Sequence, residues 1–285
     1  MEFPIVTLKK DAWPELLAHI PDTPKQLYLR GALADSSHKI LAVVGSRAAS
    51  TYGKEVTRKL IEGLRGYPIT IVSGLAIGID TCAHEAALAA GLHTVSVPGS
   101  GISDSVLYPA RNKRLAHRIL ESGGALLSEF APDFRATPWS FPARNRIMAG
   151  MSHAVLVIEA EQRSGTLITS KLATEYNRDV FTVPGSIFAS QSAGPHMLIR
   201  LGATPITSPK DVLEALGFDT DDTEEKVLPE LSADEQKIYN RLTEPCTRHE
   251  LIAACNIPAS GASILISLLE LKGVITEFDG LIRRS

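Results

Sequence analysis

Cysteine is scarce in this chain of 285 residues: only Cys82, Cys246 and Cys255 occur, with no CxxC pair and no Cys/His ligand spacing. That excludes a disulfide-stapled scaffold and a cysteine-held metal centre, and it fits small buried thiols in a reducing compartment such as the cytoplasm. No apolar run approaches the ~18 residues of a membrane helix. The opening "MEFPIVTLKK" lacks the charged, apolar, small-residue order of a secretory signal. No membrane association is therefore expected. Also missing are a G-x-x-x-x-G-K-[ST] phosphate loop, an HExxH helix, a G-x-S-x-G elbow and a paired-carboxylate signature. The eight histidines are scattered. No metal, cofactor or catalytic residue is expected.

Net charge is small, −3, but unevenly spread. Residues 39–218 carry +4, whereas the short run Asp219–Glu225 alone carries −5. The middle of the chain is thus mildly basic, and the acidity sits mostly in one candidate linker. An anionic partner such as a nucleic acid is compatible with that distribution.

Apolar runs alternate with amphipathic stretches from Ile40 onward. Strands are expected at Ile40–Val44, Ile69–Val72, Thr94–Val97, Ala125–Leu127, Ala154–Ile158, Val180–Val183 and Ala203–Ile206. Helices are expected at Tyr52–Leu64, Ile79–Ala90, Ala110–Ser122, Pro142–Met151, Thr166–Asn177 and Pro195–Leu201. This alternation predicts an α/β fold, a doubly wound Rossmann-like parallel sheet, with ligands bound beyond the carboxyl ends of the strands. Residues 1–38, punctuated by proline, read as a lead-in packed on the core. Residues 39–218 form the main domain and 219–229 an acidic linker. Residues 230–285 show three short helices and a hairpin turning at Asp279-Gly280, the order of a small winged helix.

Glycine- or serine-rich turns follow most of the expected strands: "GSR" at Gly45, "SGLAIGID" at Ser73, "PGSGIS" at Pro98, "EAEQRSGTLITS" at Glu159 and "PGS" at Pro184. Each could be an ordinary tight turn. Successive N–H groups in such turns also make anion nests, and the first turn leads straight into a helix N-terminus. "GSRAAS" lacks the G-x-G-x-x-G spacing of a dinucleotide site, and the second strand ends in Ser73-Gly74 without a ribose-binding acid. One dinucleotide has a single pyrophosphate; a polymer of phosphates could occupy several turns. "YPARNKRL" and "FPARNRIM" place cations beside Tyr108 and Phe141. That pattern suits phosphate neutralisation with base stacking, or simply solvated helix faces with the aromatics in the core. Asp80, at the start of a helix, is most simply an N-cap.

These residues resemble the DNA processing protein A (DprA/Smf) family. The matching motifs are "VVGSRAAS", "VSGLAIGIDTCAHEAAL", "VPGSGISDSVLYPARNKRL", "LLSEF", "FPARNRIMAGMSHAVLVIEA", "SGTLITSKLATEYNRDVFTVPG" and "GPHMLIRLGATPITSPKDVL". The resemblance implies a Rossmann-like core that binds single-stranded DNA, a homodimer, and protection of incoming DNA with loading of the RecA recombinase in natural transformation. Carried over by position, it implies phosphate contacts from Gly45, Ser46, Arg47 and Ser50. Backbone donors would come from Ser73, Gly74, Gly99 and Gly101. Tyr108, Arg111, Asn112 and Lys113 would line the groove, as would Arg144, Asn145 and Arg146. Ser164, Gly165 and Thr166 would form a further anion site. Many members place Lys after the Tyr-Pro pair, whereas this chain has Ala110. The expectation is one cationic trough uniting Arg47, Lys113 and Arg146.

The rival class is a nucleotide-cleaving phosphoribohydrolase. "RSGTLITSKLATE" sits where those related enzymes carry "PGGxGTxxE". Ile168 and Thr169 follow Leu167 where their glutamate would stand. The third C-terminal helix, "ASGASILISLLEL", has no Arg or Lys before Lys272. A protein-contact or self-regulatory role is therefore favoured there over DNA reading.

Overall fold

Alternation along the central strands explains the architecture. In the computed structural model, which describes residues 3–162, 164–220, 231–255, 257–278 and 280–284, strand β3 (Lys39–Val44) sends Leu41 and Val43 to one apolar cluster. Ala42 and Val44 go to another. Strand β7 (Ala154–Val157) divides Ala154 and Leu156 from Val155 and Val157 in the same way. Strands with both faces buried belong inside a layered α/β sheet.

The sheet has nine strands. Besides β3 and β7 it contains β1 (Ile5–Leu8), β2 (Leu27–Gly31), β4 (Ile69–Ser73), β5 (His93–Ser96), β6 (Ala125–Ser128), β8 (Asp179–Thr182) and β9 (Thr204–Pro205). Their order is β1-β2-β6-β5-β4-β3-β7-β8-β9. From β6 to β9 every pairing is parallel. The lead-in does more than pack on the core, because β1 and β2 extend the sheet as antiparallel strands beyond β6.

Helices α1 (Thr51–Glu62), α2 (Ile79–Ala90) and α7 (Pro209–Ala215) cover one face through residues such as Leu60, Ile61, Ala83, Ala87 and Val212. On the other lie α4 (Ser140–Met151), α5 (Thr166–Glu175) and α6 (Ala193–Arg200), together with Leu17 and Ile20 of the lead-in. Helix α3 (Lys113–Glu121) continues a short 3-10 turn, Ala110–Asn112, and packs on a separate cluster with Leu126. Strand order reverses at β3, whose neighbours are β4 and β7. The crevice between β3 and β7 is therefore the topological switch point where such sheets bind ligands.

The chain divides into two units, 1–220 and 221–285. Most of the expected acidic linker lies outside the described residues. The second unit holds α8 (Ala233–Arg241), α9 (Arg248–Ala254) and α10 (Ala259–Leu271), with β10 (Cys246–Thr247), β11 (Ile275–Phe278) and β12 (Leu281–Arg284). Its strands pair as β10-β12-β11. Three helices and a hairpin make the winged helix, and Ile238, Leu251, Ile266, Leu269 and Ile282 form its core. No single helix among the described residues is long and apolar enough to cross a membrane.

Candidate nucleic-acid interface

A cleft of about 730 Å³ opens at the switch point. One side is the turn after β3, Gly45, Ser46 and Arg47; another is the Ser164–Thr166 turn that starts α5; Pro138, Phe141, Arg144 and Asn145 of α4 and its approach complete the wall. A smaller pocket of about 70 Å³ shares Arg47, Phe141 and Arg144 with it and adds Gly74 and Tyr108. The two form one groove across the strand ends.

Arg47 is exposed and makes no ion pair among the described residues. Its guanidinium carbon lies 5.0 Å from the centroid of the Phe141 ring, a cation–π arrangement that holds the charge over the groove. The turn beneath it is fixed: Ala48 N–H donates to Ser46 Oγ (3.1 Å), and Ile79 N–H donates to the Ser46 carbonyl (3.2 Å). Phe141 in turn packs against Tyr108, ring centroids 5.7 Å apart.

Arg144 lies deeper, 5% exposed, and donates to the Val97 carbonyl; its Nε has no hydrogen-bond partner among the described residues. Gly74 gives the space it needs, since a Cβ there would collide with the guanidinium. Below it sits Asp80, whose carboxylate accepts from the N–H groups of Gly74 (3.1 Å) and Ala76 (3.3 Å). Burial raises the Asp80 pKa against the opposing pull of Arg144 and these donors. Burial and, less strongly, Arg47 lower the Arg144 pKa to about 10, so it stays charged at neutral pH. Arg144 thus faces the buried carboxylate of Asp80, while Arg47 presents an exposed guanidinium to the groove, whose wall also carries Glu161.

Ten of the eighteen expected site residues line this groove: Gly45, Ser46, Arg47, Gly74, Tyr108, Arg144, Asn145, Ser164, Gly165 and Thr166. The other eight do not, six of them for a visible reason. Ser50 caps α1, accepting from Gly53 N–H (3.0 Å), and its own N–H and hydroxyl donate to Glu159. The anion at that helix N-terminus is therefore the protein's own buried carboxylate. Ser73 Oγ donates to the Val43 carbonyl (2.7 Å) inside the sheet. Gly99 lies under the Phe141 ring, and Gly101 N–H donates to the Phe134 carbonyl (2.8 Å). Asn112 is buried, donating to the Leu75 carbonyl (2.8 Å) and Thr81 Oγ1 (2.9 Å), and so shapes the loop after β4.

Arg111 is exposed on the 3-10 turn, and Lys113 is half-buried at the start of α3. Arg146 is held by Asp22 and Glu129. The expected trough of Arg47, Lys113 and Arg146 is therefore replaced by the pair Arg47 and Arg144. Helix geometry explains this, because residues two apart point to opposite sides of α4, so Arg144 and Arg146 cannot share one groove. Asp80 is likewise not an N-cap, a position held by Gly78, but a buried acid in the first turn of α2. Sequence reasoning did not place Glu161 and Gln191 on the cleft wall. Nothing in their local pattern distinguishes them.

Known proteins give the same reading of the fold. The profile of the DNA recombination-mediator protein A family matches residues 4–217, and that of the DprA winged helix domain matches 222–281. Protein Smf of Escherichia coli is 46% identical over 72% of this chain and 54% of its own length, so the match spans about half of that relative. DNA processing protein DprA of Streptococcus pneumoniae is 45% identical over 76% of each chain. The solved structure of that pneumococcal protein superposes with a TM-score of 0.69, at 44% identity, over 77% of this chain and 75% of its own. DNA processing protein A of Helicobacter pylori, whose structure concerns its mode of binding single-stranded DNA, superposes at 0.66 with 29% identity. There the match covers 75% of this chain and 96% of that one.

Proposed function

The chain belongs to the DNA recombination-mediator protein A family, and on that premise we propose that it binds single-stranded DNA in the switch-point groove as a recombination mediator. The observation that carries the reading is the pair of Arg47 and Arg144 at one groove. Arg47 has no ion-pair partner among the described residues and Arg144 lies behind it, with glycine- and serine-rich turns on the facing side. Such a site grips phosphates and reads no base edge, so little sequence preference and marked salt dependence follow. We read the groove as a binding surface rather than a catalytic one.

Protection of incoming strands and loading of the RecA recombinase are proposed from family membership. Cytoplasmic location follows from the same role. A homodimer is proposed as well, supported by the exposed apolar side chains Ile187, Phe188 and Leu201 near the β9 edge of the sheet. For the winged helix we propose contact with protein rather than DNA. Three of its cations are engaged internally: Arg248 with Glu270 and Glu277, Lys272 with Glu235, and Arg284 on the Tyr239 carbonyl and ring.

Fluorescence anisotropy with single- and double-stranded oligonucleotides, alongside incubation with nucleoside monophosphates, tests the reading. Tighter binding of single strands without base release supports it. Base release without strand binding would replace it with the phosphoribohydrolase class. Sedimentation velocity separates a dimer from a 30.7 kDa monomer.

A further inference from the structure

Two large aromatic side chains, Tyr108 on the smaller pocket and Trp139 next in the chain to the cleft wall, remain open to solvent. Tyr108 is 49% exposed and Trp139 is 59% exposed. Exposing an indole forgoes hydrophobic stabilisation, and Tyr and Trp with one wet face are enriched at binding surfaces. Trp139 directly follows Pro138, which lines the cleft, and precedes Phe141 by two residues. Its position is well fixed. The ring meets Phe130 and Phe134 edge-on, both with centroids 5.6 Å away, and those two rings stack on each other at 4.6 Å. The adjoining Ser140 is fully buried. Its hydroxyl bridges the Thr137 backbone and the Gly99 carbonyl, pinning the segment to the turn after β5.

We infer that Trp139, next in the chain to the cleft-lining Pro138, is a base-stacking platform for nucleotides entering or leaving the phosphate groove, with Tyr108 a second one against Phe141. The inference rests on the strand-binding reading above and adds to it a role for the bases. A polymer whose phosphates lie against Arg47 must direct its bases somewhere. An aromatic wall beside the phosphate site accepts any of the four, because every base has a π face. Preorganisation by the Phe130–Phe134 pair and by Ser140 means little side-chain freedom is lost on stacking. Arg47 over Phe141 sets a cation beside the Tyr108–Phe141 pair.

Tryptophan fluorescence tests this directly, since the chain has only two tryptophans. The other, Trp13, is half-buried in the lead-in, with its indole N–H on the Leu8 carbonyl (3.3 Å). The full chain is titrated with oligothymidylate and with an abasic strand of equal length, following both quenching and anisotropy. Expected are quenching by oligothymidylate that persists in Trp13→Phe and vanishes in Trp139→Ala. Trp139→Ala should also weaken oligothymidylate binding about 5- to 150-fold, leave abasic-strand binding unchanged, and be largely rescued by Trp139→Phe. Wild-type binding of oligothymidylate without quenching would overturn the platform while leaving the groove reading intact, as would Trp139→Ala losing affinity for both strands alike. No wild-type binding of either strand would instead overturn the groove reading itself. Should Trp139→Ala not fold, the quenching of wild type and Trp13→Phe still decides.

Discussion

Replacing Arg47 with alanine should cost affinity and leave the fold alone. The side chain is exposed, forms no ion pair among the described residues, and holds its guanidinium carbon 5.0 Å from the Phe141 ring centroid. Its removal leaves no buried partner unsatisfied, so unfolding free energy should move by no more than about 0.5 kcal/mol. On single-stranded DNA, one charge-assisted hydrogen bond to phosphate contributes about 1.5–3 kcal/mol, or roughly 12- to 160-fold in Kd. Loss of one phosphate contact should also flatten the slope of log K against log salt by about 0.7. Arg47→Lys separates charge from shape. It should keep the salt slope but recover only part of the affinity, because an ammonium lacks the flat fork that stacks on Phe141. Anisotropy across a salt series, paired with urea denaturation, reads all three quantities. Wild-type affinity and slope in Arg47→Ala would refute the placement of phosphate at this turn.

Glu159→Gln should destabilise the chain by about 2–4 kcal/mol, as the neutral amide loses both the charge at the α1 N-terminus and one of the Ser50 bonds; a shift in the urea midpoint of unchanged slope checks it. His84 is buried with its pKa pushed down to about 3 by desolvation. It therefore contributes stability that is present above about pH 6.5 and lost as pH falls toward 3, with a slope of up to about 1.4 kcal/mol per pH unit. His84→Gln should remove that component, seen as a flatter stability–pH profile than wild type over this window. Truncation after residue 220 should leave single-strand affinity within about twofold, since Arg248, Lys272 and Arg284 of the winged helix face its own carboxylates and carbonyls; a large loss in a gel-shift assay would show that this unit touches DNA.

Where a stretch carries its structural role within itself, the sequence made it legible. The runs at β3, β4 and β7 read as strands because burial on both faces demands continuous apolar residues. The alternation with helices pointed to the switch-point edge and to the turns at Gly45 and Ser164. Short edge elements escaped: β1 and β2 have four and five residues and gain their identity from pairing with each other and with β6. Helix α7, absent from the expected elements, carries a readable signal, a capping box between Ser208 and Asp211 with proline at the first turn. For the site, the motif told which segments meet but not which side chains face inward. Asn112 and Arg146 look like ligand-binding residues in one dimension. Only the fold reveals their partners within the protein, Leu75 and Thr81 for one and Asp22 and Glu129 for the other.

The central claim is that phosphates lie in the β3–β7 crevice. Amide hydrogen exchange of the full chain, with and without a saturating oligothymidylate, tests it most directly. Added protection should concentrate at Gly45–Ala48 and Ser164–Thr169, with the winged-helix unit unchanged. Protection confined to residues 231–284, with none at those two turns, would contradict the account.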